Sequence, residues 1–240
     1  MGLPISVEIL GDEASEQALD EVFACFQWVD ATFSTYKPES EISRIARGEL
    51  APEAASHEVS WVLEECNRIK ILTKGYFDAW PNGQLDPSGF VKGWAVERAA
   101  SILDHRGINR YCVDAGGDMQ LRGNGPDGGP WLIGIRHPVN ASAMAKLLRI
   151  SDMAVATSGI YERGRHIYDP FTGLAVSEPL SLTVIGPKIA DTDAVATAAF
   201  VMGREGMAFL SHHNYEAMMI TIDHEVLLTP GFRQYETTPS

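Results

Sequence analysis

The chain has 240 residues, 45% of them hydrophobic and 21% charged, which is ordinary globular composition with enough apolar material for a core. A net charge of −13 repels phosphodiester backbones and argues against a nucleic-acid partner. No apolar run approaches the roughly 20 residues that span a bilayer, which argues against membrane insertion.

The N-terminus lacks the basic and long apolar regions of a signal peptide, so the expected location is cytoplasmic. Cys25, Cys66 and Cys112 stand far apart among apolar residues and read as buried thiols, neither disulfides nor a metal site. Residues 4–10 read as an edge strand. Leu19, Val22, Phe23, Phe26 and Val29 recur at helical spacing and predict a helix from about Glu13 to Ala31. A polar stretch follows, broken at Pro38, with Ser40 in place to cap a short helix. Tyr36 lies within it, either as a ring that covers a flat ligand or as a core-edge tyrosine with its hydroxyl in water.

Val59, Val62, Cys66 and Ile69 share one face of a second amphipathic helix, which ends at a basic turn and a capping glycine, Lys74-Gly75. Tyr76 to Gly83 is a loop of aromatics and turn formers. From Leu85, a polar loop runs into a helix bearing Val91, Ala95, Ala99 and Ile102. Ser88-Gly89 fall at its N-terminus, where free N–H groups favour an anion, and Lys92 is one turn inside. The glycine spacing is not that of a Walker-type phosphate loop.

Tyr111 to Leu121 reads as two strand pieces with a glycine-kinked or bulged join at Gly116-Gly117. Asn124 to Pro130 is a surface turn. Trp131 to Arg136, Lys146 to Ile150, Met153 to Ala156 and Leu182 to Ile185 supply further strands. The third of these ends at Thr157-Ser158-Gly159, where hydroxyls and free N–H groups face a ligand. The chain then passes Glu162, Arg163, Arg165 and His166 to a turn signal, Asp169-Pro170-Phe171-Thr172-Gly173. This is either a binding or catalytic loop or a polar hairpin tip. A helix begins near Ala190 with Asp191 or Thr192 as its cap. Asp193 and Thr197 share a face of it and offer hard oxygen donors suited to Mg²⁺, although an acid in the first turn also serves the helix dipole. Residues 216–229 read as a closing hairpin around Asp223-His224, and the tail after Pro230 as loose. With no repeat, low-complexity segment or linker, residues 1–240 read as one domain.

Seven stretches in order carry a resemblance: Phe33-Ser34-Thr35-Tyr36 with Ser40-Glu41-Ile42-Ser43-Arg44; Gly75-Tyr76-Phe77-Asp78; Asp86-x-x-Gly89-x-x-Lys92-Gly93-Trp94-Ala95-Val96-Glu97; Asp114-Ala115-Gly116-Gly117-Asp118; Ala156-Thr157-Ser158-Gly159-x-Tyr161-Glu162; His166-Ile167-x-Asp169-Pro170-x-Thr172-Gly173; and Thr192-Asp193-Ala194-Val195-Ala196-Thr197-Ala198. Together they resemble the ApbE family, the FAD:protein FMN transferases, over nearly the whole chain. The resemblance implies an α+β fold of mixed or antiparallel sheets flanked by helices, with two lobes around an FAD cleft. It implies Mg²⁺-dependent transfer of FMN from FAD to a Thr or Ser hydroxyl of a target flavoprotein, with release of AMP.

By the same resemblance, Tyr36 flanks the isoalloxazine, Phe77, Asp78, Ala79 and Asp86 line the FAD site, Lys92 contacts FAD, and Ile167 meets the flavin through its backbone. Ser158, at its strand end, faces the same ligand. The metal would be held by Asp193, Thr197 and the carbonyl of Gly89. His166 matches the histidine before the Asp-Pro-x-Thr-Gly turn and is the expected general base for the acceptor hydroxyl. The chain departs from the family at Asp86-Pro87-Ser88-Gly89, usually Asp-Leu-Gly-Gly or similar, where Pro87 removes a backbone donor. Two other functions fit the same residues: an FAD pyrophosphatase using water as acceptor, and a flavin carrier without turnover.

Overall fold

The computed structural model describes residues 2–11, 16–140, 142–159 and 167–237. In chain order its elements are β1 (Ile5–Ile9), α1 (Glu16–Phe33), α2 (Glu41–Ala46), α3 (His57–Leu72), α4 (Ser88–His105), β2 (Tyr111–Ala115), β3 (Asp118–Arg122), β4 (Trp131–Arg136), β5 (Met144–Ile150), β6 (Ala154–Gly159), β7 (Ser181–Gly186), α5 (Ile189–Met202), α6 (Arg204–His212), β8 (Glu216–Ile220) and β9 (Val226–Leu228). Seven strands form one sheet in the order β1-β2-β3-β6-β7-β8-β9, and β4 and β5 form a separate hairpin. Each of these pairings is antiparallel. The expected α+β class with antiparallel sheets and flanking helices is the class observed.

Side-chain alternation assigns the two faces of the large sheet. Ala154, Ala156, Leu182, Val184, Ala217 and Met219 join the core with α1, α4 and α5. Val155, Ile185, Met218 and Ile220 pack instead with Trp131, Ile133, Leu148 and Ile150 of the β4–β5 hairpin. β7 is buried at every position. Small alanines on the helical face let α5, itself buried through Ala190, Ala194, Ala196, Ala198 and Ala199, lie close to the sheet.

Several boundaries differ from expectation for identifiable reasons. α1 runs on to Phe33, which continues the buried series Val22, Phe26 and Val29 and packs edge-on against Trp94 at 5.1 Å between rings; residues 12–15, at the expected start, lie outside the described residues. Phe23 is on the solvent side. Gly116-Gly117 form neither kink nor bulge. They are the two-residue turn of the β2–β3 hairpin, with φ of 66° and 95° and Ala115 paired to Asp118. α5 starts earlier than its expected cap. Lys188 is the N-cap, and the N–H groups of Ile189 and Ala190 donate to Gln120 Oε1 (3.0 Å) and Glu97 Oε2 (3.3 Å). Asp191, inside the first turn, pairs with Arg68 instead. α6 carries no element in the sequence reading. The tail is anchored: Phe232 is fully buried, and Thr237 N–H donates to Leu147 O at 3.1 Å.

Ser40 caps α2 as expected, its hydroxyl accepting the Ser43 N–H at 3.0 Å. α3 buries Val59, Val62, Cys66 and Ile69 together. The closing hairpin is β8–β9. These elements bring the C-terminal end of β6, the N-terminus of α4 and the first turns of α5 to one place.

Candidate functional site

At that place is a cavity of about 750 Å³, in the upper part of the roughly 300–1,000 Å³ range of ligand sites. A buried charge cluster from three elements stands against it, with Asp193 and Lys92 in its lining and Asp118 behind them. Asp193 enters from α5, 3% exposed, and its Oδ2 accepts the Gly93 N–H of α4 at 3.0 Å. Lys92, on α4, reaches Asp193 Oδ1 at 3.2 Å and forms a shorter ion pair with Asp118 of β3. Asp118 is 1% exposed, and its Oδ1 accepts the Thr157 N–H of β6 at 2.9 Å.

Burial pushes the Asp193 carboxyl up to about 7. Lys92 pulls against that rise, and the neighbouring Asp118 adds to it. Burial also works against the Lys92 ammonium, but Asp193 and Asp118 outweigh it and hold the group charged, above the usual lysine range. One ammonium thus serves two carboxylates. A cation bound beside Asp193 would favour its charged form against burial and the neighbouring Asp118.

The walls are acidic as well. Among the described residues, the carboxylate and ammonium side chains lining the cavity are Asp30, Asp78, Asp86, Asp169 and Asp193 against Lys37 and Lys92. Lys37 pairs with Asp30. A bound cation would offset these carboxylates for an anionic ligand. Gly89, Asp193 and Thr197 all line the cavity. In a regular helix the Gly93 N–H belongs to the Gly89 carbonyl. Here it donates to Asp193, which brings that carboxylate against the first turns of α4.

Thr197 stands one turn along α5 from Asp193. The donor set is one carboxylate, one hydroxyl and one carbonyl, and among the described residues no three His, Cys, Asp or Glu side chains gather as a metal cage. These donors fit Mg²⁺, which prefers oxygen and completes its shell with water and phosphate. They do not fit a zinc-type site.

The other expected site residues mostly converge here. Tyr36, Phe77, Asp78, Asp86, Lys92, Ser158 and Ile167 line the cavity. Tyr36 is 95% exposed at its rim, so it is not a core-edge tyrosine. Ala79 is buried outside the lining, and its carbonyl accepts the Asp86 N–H at 2.8 Å, holding the two ends of the loop together. Asp78 shapes that loop through Lys70 Nζ (2.9 Å) and the Trp80 N–H (3.0 Å).

Pro87 becomes the N-cap of α4, and Asp86 Oδ1 accepts the Ser88 N–H at 3.0 Å, so one N–H expected to be free for an anion is taken. The Thr157 N–H, also expected to be free, goes to Asp118. The Asp169 to Gly173 turn forms: Asp169 accepts the Phe171 N–H and the Thr172 hydroxyl, and Gly173 takes φ 69°. His166, Glu162, Arg163 and Arg165 lie outside the described residues. No described histidine lines the cavity. Asp118 had no assigned role in the sequence reading; it closes Asp-Ala-Gly-Gly-Asp, and only the packing of α4 on β3 reveals that it backs Lys92.

Comparisons with known proteins identify the family and the fold. A family model described as "ApbE family" matches residues 1–82 and 79–219. The FAD:protein FMN transferase of Vibrio cholerae is 28% identical over an alignment covering 91% of this chain and 82% of that protein. That of Haemophilus influenzae is 26% identical, covering 92% and 84%. The solved flavin transferase ApbE from Vibrio cholerae superposes with a TM-score of 0.87 at 25% identity, covering 98% of this chain and 96% of the other. The ApbE protein of Thermotoga maritima shares the fold, with a TM-score of 0.88 at 21% identity over 99% and 97% of the two chains.

Proposed function

The chain belongs to the ApbE family, and from that premise we propose that it is an FAD:protein FMN transferase acting on a target flavoprotein. The acceptor's Thr or Ser hydroxyl oxygen attacks the FMN phosphorus of FAD, the pyrophosphate P–O bond breaks, and AMP leaves. The hydroxyl proton passes to His166, the general base of this reading. FAD occupies the 750 Å³ cavity, with Tyr36, Phe77, Asp78, Asp86, Ser158 and Ile167 around it and the Ala79 carbonyl bracing the loop.

One observation carries the proposal: Lys92, Asp193, Thr197 and Gly89 all line one acid-rich cavity, in which Lys92 pairs with Asp193. Asp193, Thr197 and the Gly89 carbonyl would hold Mg²⁺, which supplies charge neutralisation of the pyrophosphate and of departing AMP. Lys92 orients the phosphates by charge. The helices α4 and α5 hold these groups on rigid elements, so positioning comes with the fold. Residues 1–240 act as one domain in this reading. Three unpaired cysteines fit work in a reducing compartment such as the cytoplasm. Among the described residues, no helix is long and apolar enough to cross a membrane.

The test is to incubate the protein with FAD and Mg²⁺, with and without a flavin-free acceptor domain, and to follow AMP and free FMN by chromatography. Transfer predicts AMP only with acceptor and little free FMN. AMP and FMN in equal amounts without acceptor would make the protein a pyrophosphatase, and neither product would make it a carrier. His166→Ala should bind FAD normally and lose about 10²–10⁴-fold in transfer. Loss of less than about tenfold would remove the base role.

A further inference from the structure

Lys92 stands between two buried carboxylates on different elements, Asp118 of β3 and Asp193 of α5. The two partners are not equivalent. Each carboxylate accepts one backbone N–H, Asp118 from Thr157 at 2.9 Å and Asp193 from Gly93 at 3.0 Å, but only Asp193 lines the cavity. Asp118 does not line the cavity among the described residues, so it reaches a ligand only through Lys92. Without the charge of Asp118, Asp193 would be the one carboxylate paired with this half-buried ammonium and would draw it closer. A divalent cation and that ammonium would then compete for one carboxylate.

We infer that Asp118 is a positioning residue that draws Lys92 off Asp193 and so keeps Asp193 available to a divalent cation. The inference rests on the metal reading above and deepens it. Asp118 acts as an anchor for Lys92, with the Thr157 N–H bond setting the anchor's own position. The lysine then points its charge toward the ligand from a fixed place instead of neutralising the metal's carboxylate.

The experiment is a double-mutant cycle on Mn²⁺ affinity, with the full chain saturated with FAD and no acceptor, read from the free-Mn²⁺ electron paramagnetic resonance signal. Asp118→Asn keeps an amide oxygen for the Thr157 N–H and removes only the charge. It should weaken Mn²⁺ about 10- to 100-fold, the range for residues that orient a metal ligand. Lys92→Met should then restore Mn²⁺ binding in the Asp118→Asn background by about tenfold more than it changes binding in the wild type.

Equal effects of Lys92→Met in both backgrounds, or unchanged affinity in Asp118→Asn, would overturn the inference. A role limited to bracing β6 predicts no restoration by Lys92→Met. Wild-type protein that fails to bind Mn²⁺ beyond FAD alone would overturn the metal reading itself, which separates the two failures. Should Asp118→Asn not fold, the same cycle with Asp118→Ser is read in the same way.

Discussion

Gly93→Ala tests whether the approach of α4 to α5 sets the site. A Cβ at Gly93 would sit 2.6 Å from the Ile189 carbonyl oxygen, 2.9 Å from Asp193 Cβ and 3.0 Å from Ala190 Cα. Two of these obstacles are backbone and cannot rotate away, so the helices must part. Overpacking of this kind costs about 1–3 kcal/mol, and alanine recovers about 1 kcal/mol as a better helix former. With backbone as the obstacle the cost falls at the upper end, for a net loss of about 2 kcal/mol.

At roughly 2–4 °C per kcal/mol for a chain of this size, Tm should fall by about 4–8 °C. The same displacement separates Lys92 and Gly89 from Asp193 and lengthens the Gly93 N–H bond to its carboxylate, now 3.0 Å. Misplacement of about 1 Å costs on the order of 10²-fold in rate. The assay is thermal unfolding beside initial rates of Mg²⁺-dependent transfer. Transfer should fall far more than the remaining folded fraction explains. A variant with wild-type Tm and wild-type rate would refute the argument that this contact positions the site.

Asp193→Ala should abolish Mg²⁺-dependent transfer while FAD still binds, a loss of about 10³-fold from the missing charge stabilisation; unchanged Mg²⁺ dependence in a titration of rate would place the metal elsewhere. Tyr111→Phe should separate stability from activity. The hydroxyl, buried within bonding distance of Asp104 Oδ1 (2.9 Å) and Ala100 O (3.1 Å), sits near the C-terminal end of α4, whereas Ser88, Gly89, Val91 and Lys92 line the cavity from its N-terminal end, so its loss should cost about 1 kcal/mol, or roughly 2–4 °C in Tm, with transfer unaltered. Burial pushes the Cys66 and Cys112 thiols up to about 12, so at pH 8 their thiolate fraction is depressed and labelling by a disulfide reagent should be about 10³-fold slower in the folded protein than in urea. Rapid labelling of either thiol in the folded state, located by peptide mass mapping, would contradict that burial.

Most elements were legible because their periodicity is strong. The buried face of α3 follows directly from Val59, Val62, Cys66 and Ile69, and the cap of α2 from Ser40. The site was legible as a set of short motifs, and Asp193 with Thr197 as an i, i+4 pair on one helix. What escaped depends on partners far away in sequence. The start of α5 is satisfied by Gln120 and Glu97, which no local capping rule identifies. Gly93 looks like a poor helix residue until Ile189 and Asp193 are seen against it. Asp118 belongs with Lys92 only because α4 packs on β3. The tail looked polar and loose, yet Phe232 fills the space beneath the β4–β5 hairpin.

The most direct measurement is the intact mass of a flavin-free acceptor domain after incubation with this protein, FAD and Mg²⁺. The account predicts a gain of one FMN on the acceptor, lost when EDTA is added and lost on Thr→Ala or Ser→Ala substitution at the modified acceptor residue. An acceptor of unchanged mass, while FAD is consumed in the same tube, would contradict it.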